Sequence, residues 1–252
     1  MEGIFNPFCL TGKTILVTGA SSGIGQAIAI ACSNMGGNII LTGRNREKLN
    51  ETLSQMNAGC HKMIIADLTK EEDRKNLVDS LPALDGIVYN AGMGNRKVCK
   101  FIEKEDIEKI MNINFTASVL LQSDILSNKK LKKGASIVFM ASRAASAPSI
   151  GNALYSASKG AIISYAKCLG LELAPRQIRV NCICPAMVWT GLILQEGITK
   201  EMLEEEQKKY PLKRYGTPQD IAYLCIYLLS DASVWMTGSC LDITGGGEQT
   251  LI

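Results

Sequence analysis

Tyr155 and Lys159 stand four residues apart in Tyr155-Ser156-Ala157-Ser158-Lys159. Residues 153–174 contain no proline and are rich in Ala, Leu and Ile, which predicts a helix. Residues at this spacing share a helical face, with Cβ atoms about 5–6 Å apart. A phenol therefore lies beside an ammonium. A free Tyr titrates near about 10, and a neighbouring cation favours the phenolate and moves that value toward working pH. A phenol tuned in this way can give or take a proton as a general acid–base. A packed ring beside a solvated amine has the same spacing, so the assignment depends on what the rest of the chain brings to this face.

Residues 13–18 form a short apolar, β-branched run that reads as a buried strand. Gly19-Ala20-Ser21-Ser22-Gly23-Ile24-Gly25 follows, and residues 26–35 then read as helix. The glycines are spaced G-x-x-x-G-x-G rather than the commoner G-x-G-x-x-G. A Gly-rich turn that feeds a helix N-terminus offers unpaired N–H groups and a positive dipole to a pyrophosphate. Its glycines let the backbone approach the anion and let helix and strand pack closely. A second strand, 38–42, leads into Gly43-Arg44-Asn45-Arg46, with no acidic residue before Glu47. At that strand end an acid binds a ribose 2′-hydroxyl, whereas an arginine accommodates a 2′-phosphate. Arg44 therefore predicts NADP(H) in preference to NAD(H), the guanidinium being the bidentate phosphate binder. The plainer alternative is a solvated loop charge.

The remaining elements place further residues on the same rim. A third strand, 62–67, ends at Asp67-Leu68, and Thr69 is expected to cap a polar helix at 70–80. A fourth, 86–89, ends in Asn90-Ala91-Gly92. A long helical stretch, 105–128, is interrupted by Asn112 and Asn114, poor helix formers that mark either a surface position or a bend with a task. A fifth strand, 135–141, precedes Ser142, and a sixth, 179–184, precedes Pro185. The irregular segment 191–216 carries an acidic helix at 200–209, Thr217-Pro218 opens a helix through 230, and 239–243 reads as a last strand. Strands alternating with helices predict a single α/β domain spanning 1–252. This is a doubly wound parallel sheet, or Rossmann fold, of about seven strands with helices on both faces. Ligands of such sheets bind outside the carboxyl ends of the strands, where Gly19, Arg44, Asp67, Asn90 and Gly92 all fall.

Composition excludes other classes. A length of 252 residues and an apolar share of 46% suit one globular domain. A net charge of +3 is too balanced to argue for nucleic acid or an anionic membrane. The nine cysteines are irregularly spaced and most sit in apolar runs, as small buried hydrophobes do. With His61 the only histidine, no metal set is expected. Reduced thiols, no evident signal peptide in residues 1–11 and no run of about 18 apolar residues predict a cytoplasmic protein.

Taken in order, these pieces resemble the short-chain dehydrogenase/reductase family over nearly the whole length. They are the stretch from Thr18 to Gly25, Asp67, Asn90 to Gly92, Asn114, Ser142, Tyr155 through Lys159, and Pro185 to Thr190. The resemblance implies that Tyr155 exchanges a proton with the substrate oxygen. Lys159 holds the nicotinamide ribose and lowers the Tyr155 pKa, and Ser142 hydrogen-bonds the substrate carbonyl. It implies that Asn114 holds a water relaying protons from Lys159, and that Pro185, Val188 and Thr190 contact the cofactor. The family usually has Pro-Gly where this chain has Pro185-Ala186, so the local backbone is expected to differ. Residues 191–216 correspond in position to a variable substrate lid.

Within the family the chain looks most like the 3-oxoacyl carrier-protein reductases. Lys133 and Arg176 match positions at which those reductases dock an acidic carrier protein. The loop Met93-Gly94-Asn95-Arg96-Lys97 departs from their pattern. The expected partner is a small carbonyl or alcohol substrate, carried or not on acyl carrier protein. Sugar, polyol or hydroxysteroid dehydrogenases stand as the enzymatic alternative, and a non-catalytic dinucleotide-binding sensor as the other. The family is commonly tetrameric, and residues 161–163 and 235–243 would suit such contacts.

Overall fold

A computed structural model describes residues 6–94, 96–194 and 199–247. Its seven strands are β1 (Thr14–Thr18), β2 (Asn38–Gly43), β3 (Lys62–Ile65), β4 (Leu84–Tyr89), β5 (Leu131–Met140), β6 (Arg179–Pro185) and β7 (Cys240–Ile243). They form one sheet in the order β3-β2-β1-β4-β5-β6-β7, and every pairing is parallel. The chain steps outward from β1 to β3, then crosses back to lay β4 on the other side of β1. Val17 consequently pairs with Leu41 on one side and with Val88 on the other. That reversal opens a crevice at the carboxyl ends of β1 and β4.

The strands read as continuous apolar runs because both faces are covered. Successive side chains point to opposite faces. On one face Leu16, Ile87, Ile137, Phe139 and Val180 pack beneath α3 (Glu71–Asp79), α5 (Ala117–Ser127) and α6 (Ala153–Leu173). On the other, Ile15, Val17, Val88, Val138 and Ile183 pack beneath α1 (Gly23–Asn34), α2 (Arg46–Ser54) and α8 (Pro218–Leu229). The helix α6 buries Ile162, Ala166, Leu169 and Leu173, a stripe of helical period. Its Tyr165 ring meets Phe139 edge-on at 5.9 Å, and Phe139 stacks on Tyr89 at 4.6 Å. Deleting a ring such as Phe139, which is fully buried, costs about 3–5 kcal/mol. Ile162 belongs to this intrachain core, so of the residues expected to meet another subunit it is not available.

Several expectations need correction. The fifth strand begins at Leu131 and the fourth at Leu84, both earlier than expected, because Leu84 N–H bonds the Lys130 carbonyl at 2.7 Å and extends the ladder. Thr69 does not cap α3: its hydroxyl donates to Asp67 Oδ1 at 2.7 Å, and Lys70 takes the N-cap position. The carboxylate two residues back captured the hydroxyl before the helix could. Of the cysteines, Cys32, Cys182, Cys184 and Cys225 are buried, Cys9 is half-buried, and Cys60, Cys99, Cys168 and Cys240 are exposed. The buried-hydrophobe reading therefore holds for four thiols only. Among the described residues no helix is long and apolar enough to cross a membrane.

Candidate active site

The bend expected near Asn112 and Asn114 is a π turn, Asn112–Thr116, between α4 (Lys104–Met111) and α5. Such single-turn bulges recur at functional sites because they redirect one side chain. Here the redirected side chain is Asn114, which is buried. Its Oδ1 accepts from Met93 N–H at 2.8 Å, and its Nδ2 donates to Met93 O and to Ser158 Oγ, both at 3.0 Å. One amide thus ties the loop after β4 to α6. Both of its protons are committed, which leaves one Oδ1 lone pair as the side chain's place for a water. Gly92 lies in the angle of this junction. A Cβ there would stand 3.2 Å from Asn114 Oδ1 and 3.5 Å from Lys159 Nζ.

Ser142 follows β5 in extended backbone, and its Oγ accepts from Ala144 N–H at 3.1 Å. Tyr155 and Lys159 rise from the first two turns of α6. Lys159 Nζ donates to Met140 O at 2.8 Å and stands 5.7 Å from the centre of the Tyr155 ring. Burial holds the Lys159 ammonium down at about 8, against a usual 10.5, with a small opposing effect of the Cys182 and Cys184 thiols. The phenol departs from expectation. Burial raises the Tyr155 pKa, and the hydrogen bond with Ser142 only partly lowers it. The ammonium reaches the Met140 carbonyl rather than the phenol oxygen, so desolvation outweighs the neighbouring cation.

Ser142, Tyr155 and Lys159 line one cavity, together with Ile24, Asn90, Gly92, Pro185, Val188 and Thr190. A second cavity is lined by Gly19, Ser21, Ser22, Gly23, Ile24, Arg44, Asp67, Leu68, Asn90, Ala91, Gly92 and Thr190. The residues common to both make them two ends of one cleft along the carboxyl rim of the sheet. Asn114 lines neither end and lies next to Gly92.

The floor of the cleft requires glycine. Gly19 and Gly23 have φ of +63° and +58°, and a Cβ on Gly25 would lie 2.2 Å from Gly19 O. The Ser22 side chain makes no capping bond, so the first N–H groups of α1 remain open to the cleft. Asn90 Nδ2 donates to Thr18 O and Gly19 O, each at 3.2 Å, and Thr18 Oγ1 accepts from the Asn90 and Ala91 N–H groups at 3.0 and 3.1 Å. Thr18 and Asn90 thereby stitch the two strand ends at the crevice. Further along, Thr42 Oγ1 is buried without a partner among the described residues; desolvation raises the Asp67 pKa, but the Thr69 hydrogen bonds, and after them the charge of exposed Arg44, bring it below its usual value. A glycine floor, open N–H groups, an orphaned hydroxyl and a cation in one elongated cleft fit a dinucleotide.

The methyl of Ala186 is accommodated without strain. Ala186 N–H still pairs with Ile243 O at 3.1 Å, and the residue has no left-handed φ. Beyond it, Met187, Trp189 and Ile193 pack on buried Leu203, Tyr210 and Tyr215, and Trp189 Nε1 donates to Gln207 Oε1 at 3.0 Å. Leu203 belongs to α7 (Lys200–Gln207), so α7 packs on Met187 and Ile193, which also line the first cavity; residues 195–198 of the expected lid lie outside the described residues. The sequence reading missed Met93, Arg96, Met140, Ala144, Asn152 and Met187 as cavity residues. Met140 ends β5, and the others come from loops and turns that carry no periodic signal. Lys133 and Arg176 lie elsewhere. Lys133 is near the start of β5, and Arg176 reaches the Leu131 carbonyl at 2.6 Å, so within one chain both stand at the opposite rim from Tyr155.

A family model described as Enoyl-(Acyl carrier protein) reductase matches residues 19–248. A 3-oxoacyl-(acyl-carrier-protein) reductase of Rickettsia prowazekii (strain Madrid E) is 33% identical over 237 residues, covering 94% of this chain and 97% of that protein. A glucose 1-dehydrogenase of Gluconobacter oxydans (strain 621H) is 34% identical over 244 residues, covering 93% of this chain and 91% of that protein. Among solved structures, a short chain dehydrogenase family protein from Francisella tularensis subsp. tularensis SCHU S4 superposes with a TM-score of 0.82 at 37% identity, covering 93% of this chain and 98% of that one.

Proposed function

Because the chain belongs to the short-chain dehydrogenase/reductase family, and is thus an oxidoreductase acting on CH–OH or carbonyl groups with a nicotinamide dinucleotide, we propose that it is an NADP(H)-dependent carbonyl reductase with Tyr155 as acid–base. One observation carries this reading: Ser142, Tyr155 and Lys159 share a cavity that continues into the glycine-floored cleft. Bound NADPH would supply the hydride to the carbonyl carbon. Tyr155 gives its proton to the carbonyl oxygen, and the Ser142 hydroxyl donates to the same oxygen as negative charge gathers on it. Lys159 holds the ribose hydroxyls at the inner end. The raised pKa of Tyr155 keeps its proton in place for reduction. Gly19 to Gly25 would hold the pyrophosphate. Thr42 and Arg44 at the far end support NADP over NAD, since an arginine accommodates a 2′-phosphate.

For the substrate, the likeness to a 3-oxoacyl carrier-protein reductase supports a 3-oxoacyl thioester. The comparable likeness to a glucose dehydrogenase supports a sugar as the second reading. The test is the decay of NADPH absorbance with a panel of 3-oxoacyl thioesters, keto sugars and simple ketones. Turnover of at least one is expected. Tight NADPH binding with no decay on any member would instead support a dinucleotide sensor. A homotetramer is part of the same reading, supported by the exposed Trp235 (99%) and Leu171 (80%). Light scattering at micromolar concentration should return four chains, and a monomer mass refutes it.

A further inference from the structure

Around the reacting centre the catalytic cavity is mostly apolar, with Met93, Met187 and Ile193 among its walls. Its charge is one-signed. Among the described lining residues there is no Asp or Glu, while two cations are present, Lys159 within and Arg96 on the exposed part of the wall. Lys159 is already engaged with the Met140 carbonyl. Arg96 makes no hydrogen bond or ion pair with any described residue. The contrast with its neighbour is informative, because Lys97 Nζ is held by Asp106 at 2.5 Å and by Glu103 at 3.1 Å. The nearby acids therefore neutralise the residue beside Arg96 and leave its guanidinium, with five donors and no acceptor, facing the cavity.

The backbone that carries Arg96 is held on both sides. Before it, Met93 is bound by Asn114 through both its N–H and its carbonyl. After it, Lys97 N–H donates to Gly151 O at 2.8 Å, joining this loop to the segment that enters α6. Gly151 has φ +81°, a turn that favours glycine. Asn152, the next residue, also lines the cavity. An arginine that pairs with no described residue, on a tethered loop lining the same cavity as Tyr155, suits an anion, because its planar fork matches carboxylate and phosphate oxygens.

We propose that Arg96 determines specificity by binding an anionic group of the substrate, a carboxylate or a phosphate, while the carbonyl of the same molecule sits against Ser142 and Tyr155. This rests on the carbonyl-reductase reading above. The anion has two sources: a free oxo acid carries a carboxylate near its carbonyl, and a phosphopantetheine thioester carries a phosphate farther along its arm.

Two matched pairs separate these sources. Acetoacetate is compared with its neutral methyl ester, and acetoacetyl-coenzyme A with neutral acetoacetyl-N-acetylcysteamine, on wild type, Arg96→Gln and Arg96→Lys. The expected result is that Arg96→Gln lowers kcat/KM about tenfold for the anionic member of one pair, chiefly through KM, and leaves its neutral partner unchanged. Arg96→Lys should fall between, having the charge without the fork. A contrast in the first pair assigns the carboxylate, and one in the second the phosphate. Equal effects on both members of both pairs overturn the proposal. Calorimetric binding of the same four compounds to the NADP-loaded protein reads the contrast without turnover. If wild type turns over none of them, the binding contrast alone decides the role of Arg96, and the reductase reading is decided by the wider panel of keto sugars and ketones. No contrast there, or no binding of any anion, overturns it.

Discussion

The buried ammonium of Lys159 costs the fold stability near neutral pH. In the folded chain its pKa falls from 10.5 to about 8, with burial the largest cause. That difference corresponds to about 3 kcal/mol disfavouring the charged form in the fold. The sign follows from proton linkage. Below about pH 8 the residue is charged in both states and the whole penalty applies. Between about 8 and 10.5 the unfolded chain binds more protons than the folded one, so stability rises with pH and the penalty fades. Lys159→Met fills similar volume without charge. It leaves the Met140 carbonyl without its donor, which costs about 1 kcal/mol. The variant, in the absence of nucleotide, should therefore be about 2 kcal/mol more stable than wild type near pH 7. Near pH 9.5 only about 1 kcal/mol of the penalty remains, so the advantage should vanish. Urea unfolding of both proteins at the two pH values measures this. A variant that is less stable near pH 7, or a difference that does not shrink at the higher pH, refutes the reasoning. The variant should also be inactive, as expected where a catalytic group is held in a place it would not choose on stability alone.

Two further outcomes follow from the site. Tyr155→Phe should bind NADPH as wild type does and lose turnover by at least about 100-fold, the low end for general acid–base catalysis; near-normal turnover in steady-state assay overturns that role. Arg44→Ser should raise KM for NADPH about tenfold while leaving KM for NADH unchanged, because Arg44 is exposed and its contribution is screened. Wild-type efficiency with NADH equal to that with NADPH would remove the premise.

Much of this arrangement is legible in the sequence because it is local. A β-branched run between glycines can be read as a doubly covered strand, and the order strand, Gly-rich turn, helix fixes where Gly19 and Gly25 sit. Tyr155 and Lys159 share a face by helical period alone. What escaped was set by competition among distant groups. Thr69 had a helix to cap, but Asp67 took its hydroxyl. Lys159 had a phenol to polarise, but its ammonium donates to the Met140 carbonyl, from β5, and burial moved Tyr155 the other way. The cavity's loop residues, Arg96 and Asn152 among them, carry no period, so only the tertiary tether from Lys97 to Gly151 reveals them. Asparagines in a helix announced a bend at Asn114 but not its purpose.

The π turn has a consequence for how this protein can change. A turn of that kind is one residue longer than the α turn it replaces, so removing a single residue from Asn112–Thr116 would let α4 and α5 fuse into a regular rod. The fused rod would regain ordinary backbone pairing, yet its later residues would be rotated by about 100° relative to the earlier ones. The amide of Asn114 could then no longer brace Met93 and Ser158 together. A shortened chain could thus keep its fold and lose its chemistry, which makes this irregularity, rather than any single acid or base, the site's most fragile inheritance.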